Sequence, residues 1–283
     1  VQARDAGNAT SGWSATWNFS ISPPNRPPSI DFNAANGNTF PSGVIFSRDA
    51  NWTFSGTASD PEGALNRVEY RCSGDNCGAH YTQSGAGAWT YERHGLAGQN
   101  DIYFMAFDNA GNYNYSRHLD LRIDLAAPTT QASLNNEATA AHWPTWFRTP
   151  VEVRLAASDG STGRARAGVQ EIRYRVDGGA WQTQNGETAA FTLSNDGAHT
   201  VEYYAIDNVG NTESARAINF QIDQTPPSAP SGAVETHGAV HNVWQKSQNA
   251  PTFTWNASID ATSGVWGYQL YFGKDANGIG YQT

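Results

Sequence analysis

An array of small all-β sandwiches is what this sequence predicts, and three observations predict it. The strand Ile102-Tyr103-Phe104-Met105-Ala106-Phe107 runs into the turn Asp108-Asn109-Ala110-Gly111-Asn112, and the unit returns as Tyr203-Tyr204-Ala205-Ile206-Asp207-Asn208-Val209-Gly210-Asn211. The turn glycines Gly111 and Gly210 stand about 99 residues apart, near the length of one small sandwich and far above a solenoid period. Only 15% of residues are charged, and the polar remainder is Ser, Thr, Asn and Gly, which suits strands and turns better than surface helices. With 12% aromatic residues the chain has ample side chain to bury, which argues against disorder.

Taken in order, the chain opens on a shortened copy of the unit, Val1-Gln2-Ala3-Arg4-Asp5-Ala6-Gly7-Asn8. An alternating strand over residues 13–21 follows, with Trp13, Ala15, Trp17, Phe19 and Ile21 on one face. Residues 1–22 therefore read as the terminal strands of a sandwich. Pro23-Pro24-Asn25-Arg26-Pro27-Pro28 cannot join a ladder and marks a stiff linker. A first complete domain, 29–124, is expected to hold strands at 52–58, 67–72, 88–93, 101–107 and 116–123. In the last of these Leu119, Leu121 and Ile123 alternate with His118, Asp120 and Arg122, one face in and one face out. A second domain, 125–224, repeats the order with strands at 151–157, 171–176, 180–183, 190–193, 200–206 and 215–222. Both close alike, on Leu121-Arg122-Ile123-Asp124 and Phe220-Gln221-Ile222-Asp223, and short Pro-containing linkers follow.

Residues 225–283 begin a third domain, with strands at 251–257 and 265–272 around the loop Asp260-Ala261-Thr262-Ser263-Gly264. That stretch amounts to an incomplete sandwich, and what it lacks is what residues 1–22 look like. Two completions are expected. Either neighbouring repeats of a longer chain supply the strands, or residues 1–22 of one copy add to residues 225–283 of the next and build a head-to-tail filament.

The second domain carries a resemblance. It combines Ile172-Arg173-Tyr174-Arg175-Val176-Asp177-Gly178-Gly179-Ala180-Trp181, the turn Asn195-Asp196-Gly197 and the Tyr203 to Asn211 stretch. Together these resemble the tandem Ig-like and fibronectin type III-like repeats of bacterial secreted and surface proteins. Gly267-Tyr268-Gln269-Leu270-Tyr271-Phe272-Gly273 in the third segment is similar to the fibronectin type III style, whereas the first domain departs by placing a cysteine pair at its hairpin. The resemblance implies an extracellular or cell-surface setting and a structural or adhesive role. The alternative is a carbohydrate-binding accessory region of a larger secreted enzyme.

Charge and motifs narrow the function classes. The net charge is -9, and only Lys246 and Lys274 among the 17 basic residues are lysines, so nucleic acid is not an expected partner. No apolar run approaches the roughly 20 residues needed to cross a bilayer. No HExxH, GxSxG, P-loop or metal-spaced Cys/His cluster occurs, so no catalytic role is expected and no cofactor is required. Cys72 and Cys77 flank a strand-to-strand turn and are expected to form a disulfide in an oxidising compartment, with a metal pair or free thiols as the alternatives.

Calcium is the sharpest ligand hypothesis. In a sandwich the incoming linker meets two loops at one end, which would bring Asp124, Asp159 and Asp207 together at one domain boundary and Asp223 and Asp260 at the next. A hard cation takes about 6 to 8 oxygen ligands, and carboxylates with turn carbonyls supply such atoms. The competing reading is that each Asp caps its own loop. Trp143 and Trp146, crowded into His142-Trp143-Pro144-Thr145-Trp146-Phe147, are the candidate glycan-stacking residues, against a packing role at the sandwich end. Asn8, Asn18, Asn51, Asn114 and Asn256 lie in Asn-x-Ser/Thr sequons, which matter only in a host that uses them.

Overall fold

The computed structural model describes residues 2–13, 24–39, 43–63, 65–75, 77, 81–84, 87–137, 146–160, 163–238 and 252–270. The described residues are all-β apart from one 3-10 turn, Gly163–Ala165. The chain divides into two compact units, Val1–Ile123 and Asp124–Thr283.

Alternation sorts the first unit into two sheets. In order come β1 (Ser29–Ala35), β2 (Asn38–Thr39), β3 (Val44–Ser47), β4 (Trp52–Ser59), β5 (Leu65–Gly74), β6 (Tyr81–Ser84), β7 (Gly87–Arg93), β8 (Gly98–Asp108), β9 (Tyr113–Tyr115) and β10 (Leu119–Ile123). One sheet runs β2-β1-β4-β7 and the other β3-β10-β8-β5-β6, with β9 beside β8. Strand β3 lies parallel to β10, and the other pairs are antiparallel. Along β8, Ile102, Phe104 and Ala106 are buried between the sheets, while Tyr103, Met105 and Phe107 are half-buried on the outer face. Phe104 is the centre of the core. Its ring lies 4.1 Å from Trp89, 5.0 Å from Phe32, 5.7 Å from Tyr70 and 6.0 Å from Phe54. Gly56 of β4 leaves room for its neighbours in the same sheet, since a Cβ there would stand 2.1 Å from the Asp31 carbonyl oxygen of β1 and 2.2 Å from the Trp89 ring of β7.

The expected disulfide is formed. Cys72 in β5 joins Cys77 with their Cα atoms 5.3 Å apart. Closing so short a loop is worth about 2 kcal/mol in the chain-entropy account.

The second unit holds β11 (Thr129–Leu134), β12 (Val151–Ser158), β13 (Val169–Val176), β14 (Gln182–Asn185), β15 (Thr188–Leu193), β16 (Gly197–Asp207) and β17 (Arg216–Ile222). They form sheets β11-β12-β15 and β14-β13-β16-β17, a seven-strand Ig-like and fibronectin type III-like sandwich. Val151, Val153 and Leu155 of one sheet pack in the same core as Ile172, Val201, Tyr203 and Ile222 of the other. Both opening strands, β1 and β11, were absent from the strands expected from sequence. Each follows a proline; β1 carries Ile30 and Phe32 whereas β11 carries Leu134 alone, and pairing with β4 or β12 decides each strand. In β11 the buried Thr130 is satisfied by Glu213, which accepts from the Thr130 N–H at 2.9 Å and its hydroxyl at 2.6 Å.

Beyond these, β18 (Ser231–Glu235) pairs with β19 (Phe253–Asn256). The strand expected over 265–272 is not one: residues 265–270 carry no strand, and residues 271–283 lie outside the described residues. Among the described residues no neighbouring strand offers 265–270 a ladder. Instead the Tyr268 hydroxyl accepts from the Ser258 N–H at 2.7 Å. The strand expected over 13–21 falls almost wholly outside the described residues.

His199, on the inner face of β16, is a buried charge. Its Nδ1 lies 2.9 Å from Asp177 Oδ2 and its Nε2 lies 2.8 Å from the Asn195 carbonyl oxygen. Both partners accept, so both ring nitrogens donate and the ring is an imidazolium. Burial opposes that charge, but the Asn195 carbonyl and the Asp177 carboxylate overcome it and hold the pKa above 6.5. Burial likewise pushes Asp177 up, while the Thr200 N–H and His199 hold its carboxyl below 3.8. The stability that His199 contributes is full below its unfolded value of 6.5 and is lost as pH rises through the higher folded value. That of Asp177 is full above 3.8 and is lost as pH falls through the lower folded value. We therefore predict that the urea midpoint of the second sandwich falls as pH is raised above neutrality, and that His199→Gln flattens this limb. A midpoint that climbs over that range, or a variant with the native slope, would contradict it.

Candidate metal centre

The recurrent turn is one hydrogen-bonded device used three times. Asp108 Oδ1 accepts from the Ala110 N–H at 2.9 Å and the Asn112 N–H at 2.8 Å. Asp207 Oδ1 does the same with Val209 at 3.0 Å and Asn211 at 2.8 Å, and Asp5 Oδ1 with Gly7 and Ala9, both at 2.9 Å. The third residue after each Asp has positive φ: 91° at Gly111, 88° at Gly210 and 72° at Asn8. To this extent the loop-capping reading holds. The Asn four residues on adds a further tie in both sandwiches, with Asn112 Nδ2 donating to Asp108 Oδ2 and Asn211 Nδ2 to Asp207 Oδ2, each at 2.8 Å.

Capping is not all that Asp207 does. In the second unit the linker, the loop between β12 and β13 and the loop between β16 and β17 meet, and they bring Asp124, Asp159 and Asp207 together. All three are buried, and each offers a carboxylate oxygen within 4.8 Å of the others'. Among the described residues this is the one group of three or more acidic, histidine or cysteine side chains so arranged. The grouping expected from sequence is thus present, and it lies inside a single unit.

Backbone donors hold the three carboxylates in place. Asp124 Oδ2 accepts from the Ala167 N–H at 2.7 Å, and its Oδ1 from the Ala126 N–H at 3.2 Å. Asp159 Oδ2 accepts from the Gly168 N–H at 2.5 Å. Asn211 Nδ2 also donates to the Asp124 carbonyl at 2.9 Å, tying the linker to the Asp207 turn. Asn208 Nδ2 donates to the Ala167 carbonyl at 2.8 Å and joins the remaining loop. Like charges at this spacing repel by about 3 kcal/mol per pair at an effective dielectric near 20. A divalent cation among the three would turn that repulsion into attraction. The donor set is all oxygen, the choice of calcium or magnesium rather than of zinc or copper.

The first sandwich resolves the same corner differently. Asn25, from the linker ahead of β1, donates its Nδ2 to Asp108 Oδ2 at 2.8 Å. An amide thus approaches Asp108 where a carboxylate approaches Asp207. Burial pushes the Asp108 carboxyl up, but Asn112, the Ala110 N–H and the Asn25 amide hold it below 3.8. The pairing of Asn112 and Asn211 with their aspartates was legible in the repeated motif. The parts of Asn25 and Gly168 were not, since both come from distant loops.

The other expected sites fare unequally. Asp260 caps its own loop, its Oδ1 accepting from the N–H groups of Thr262, Ser263 and Gly264 at 3.0 to 3.1 Å. Asp223 Oδ1 accepts from the Thr225 N–H at 3.2 Å. Among the described residues no group of three or more such side chains includes Asp223 or Asp260. Trp143 lies outside the described residues, and Trp146 is half-buried. Its neighbour Phe147 is buried edge-on against Phe220, with ring centroids 6.0 Å apart, and bridges Ile222 in the parallel sense.

No family model matches the chain, and no curated protein matches it. Solved structures similar to it include the fibronectin(III)-like modules of Clostridium thermocellum CbhA, at 16% identity over 69% of this chain and 93% of that one, with a TM-score of 0.29. The human OSCAR ligand-binding domain shares 13% identity over 69% of this chain and 98% of its own, with a TM-score of 0.27. Dimeric latent PorU from Porphyromonas gingivalis shares 12% identity over 74% of this chain and 25% of its own, with a TM-score of 0.25. Likenesses this distant add nothing to the fold class that the strands themselves establish.

Proposed function

We propose that this chain is a non-catalytic structural or adhesive segment of an extracellular or bacterial surface protein, in which a calcium ion pins the linker and two loops of the second sandwich. The observation that carries the proposal is the meeting of three buried carboxylates, Asp124, Asp159 and Asp207, from three separated stretches of chain. Loops at the end of a sandwich are the least restrained part of the fold, and an ion held by three of them makes that end stiff. The disulfide between Cys72 and Cys77 supports an oxidising setting, and no helix among the described residues is long and apolar enough to cross a membrane. The test is calorimetric: wild-type protein is melted in chelator and then in calcium chloride. A cation bound only to the native state raises the midpoint, and an unchanged midpoint removes the proposal.

A second element of the proposal concerns β18 and β19. Large apolar side chains stand exposed around this two-stranded sheet: Trp266 is 104% exposed, Ile259 74% and Leu270 61%. Among the described residues this sheet has two strands, which alone are marginally stable, so added strands would cover these residues. In a filament they come from residues 1–22 of another copy, and otherwise from neighbouring repeats of a longer chain. Size-exclusion chromatography over a concentration series is expected to show species growing beyond the dimer. A monomer at every concentration would exclude the filament.

A further inference from the structure

We propose that the outer face of the first sandwich, along β8 and β9, is a binding platform for a neutral polysaccharide chain. This goes beyond the structural role above and rests on different residues. Tyr103 stacks on His118 with centroids 4.4 Å apart and planes 15° apart, and Tyr115 stands edge-on to the same imidazole at 6.4 Å. Phe107 lies 5.7 Å from Tyr113, its partner in register across β8 and β9. Tyr113 is 55% exposed and Tyr115 60%. At a strand rise of about 3.4 Å per residue the row from Tyr103 to Phe107 is roughly 14 Å long, and its two strands lie about 5 Å apart. A surface that long and that narrow fits one extended chain of sugar rings lying along the strands.

The fold does not require these rings. Counting from Asp108 and Asp207, the places of Tyr103, Phe107, Tyr113, Tyr115 and His118 are taken in the second sandwich by Glu202, Ile206, Thr212, Ser214 and Ala217. The same architecture therefore forms with one aliphatic side chain and otherwise polar or small residues on that face. Exposed aromatic side chains in a row disfavour the solvated state of the surface, and such a patch marks a binding face.

Charge selects the occupant. The formal charges beside the row sum to zero: Arg67 and Arg71, which both reach Glu69, are offset by Glu69 and by Asp101, whose Oδ2 lies 2.9 Å from His118 Nδ1. Arg67 also covers one face of Phe107, with its guanidinium carbon 3.9 Å from the ring centroid. With no net charge, the face does not select an ionic partner. What remains is exposed aromatic carbon, chiefly of Tyr113 and Tyr115, edged by hydrogen-bonding groups, which complements a pyranose with its C–H face on a ring and its hydroxyls toward the rim.

Native electrophoresis through gels containing hydroxyethylcellulose, barley β-glucan or arabinoxylan tests this, in chelator so that the cation site plays no part. Wild-type protein is expected to be retarded by at least one of the three. The Tyr113→Ala, Tyr115→Ala double variant should bind about tenfold more weakly, the loss expected from removing two stacking rings. Both tyrosines are exposed, so an unchanged unfolding midpoint checks that the core is intact. Trp181→Ala, in the second sandwich, should bind as wild type does. Retardation by none of the three polymers overturns the proposal, and so does a double variant that binds as well as wild type. Self-association that the double variant abolishes also overturns it, because the face would then join two copies of this chain.

Discussion

Asp207→Asn is expected to leave the second sandwich folded and to erase its response to calcium. The asparagine keeps a side-chain oxygen for the Val209 and Asn211 N–H groups, so the turn survives, and it loses the bond from Asn211 Nδ2. In chelator the lost hydrogen bond, worth about 1 kcal/mol, is outweighed by relief of the repulsion from Asp124 and Asp159, about 3 kcal/mol per pair, so the variant should melt no lower than wild type. Wild-type protein at a calcium concentration a hundred times its dissociation constant gains about 2.7 kcal/mol, which for a sandwich of roughly 100 residues raises the midpoint by about 10 °C or more. The variant lacks one of three carboxylates and should lose most of that shift. Scanning calorimetry with and without calcium reads both effects. Asp108→Asn is the control, because Asp108 is approached by the Asn25 amide, and the calcium shift should persist in that variant. If Asp207→Asn keeps the full calcium shift, the carboxylate cluster is not the cation site.

Phe104→Ala should give the largest single loss of stability, confined to the first sandwich. Phe104 is buried and its ring meets those of Phe32, Phe54, Tyr70, Trp89 and Tyr91. Removing it opens a cavity that five rigid rings cannot close, and a buried phenylalanine lost in this way costs about 3 to 5 kcal/mol. Aromatic pairs add about 0.5 to 1.5 kcal/mol each beyond their area. The core of the second sandwich, which includes Leu134, Val153, Ile172 and Ile222, is a separate cluster. Calorimetry should therefore show one transition falling by roughly 15 °C or more while the other stays in place. A loss below about 1 kcal/mol, or two transitions moving together, would contradict this account of separate cores.

Much of the fold was legible because its signals are local. The period-two burial of β8 and β16 can be read from their residues, and so can the Asp, the positive-φ residue and the Asn of the turn that follows each. Strands that depend on a partner were harder. β11 is polar along most of its length and becomes a strand because β12 offers it a ladder, whereas residues 265–270 look like a strand and are not one. The aspartates could be named in advance because the topology of a sandwich dictates which loops share an end. The aromatic row could not, since Tyr113 and Tyr115 come from a three-residue strand that no periodicity announces.

By itself the sequence determined the all-β class, the repeated strand and turn, the cysteine pair and the three aspartates that could meet, because alternation, turn chemistry and chain order are written residue by residue. The tertiary structure decided that Asp124, Asp159 and Asp207 do meet, that Asn25 takes the comparable place beside Asp108, and that Tyr103, Phe107, Tyr113, Tyr115 and His118 line one face. Those are matters of register between stretches far apart in the chain. Register is chosen by the whole buried face at once, because a slip of one residue would turn every inward side chain outward.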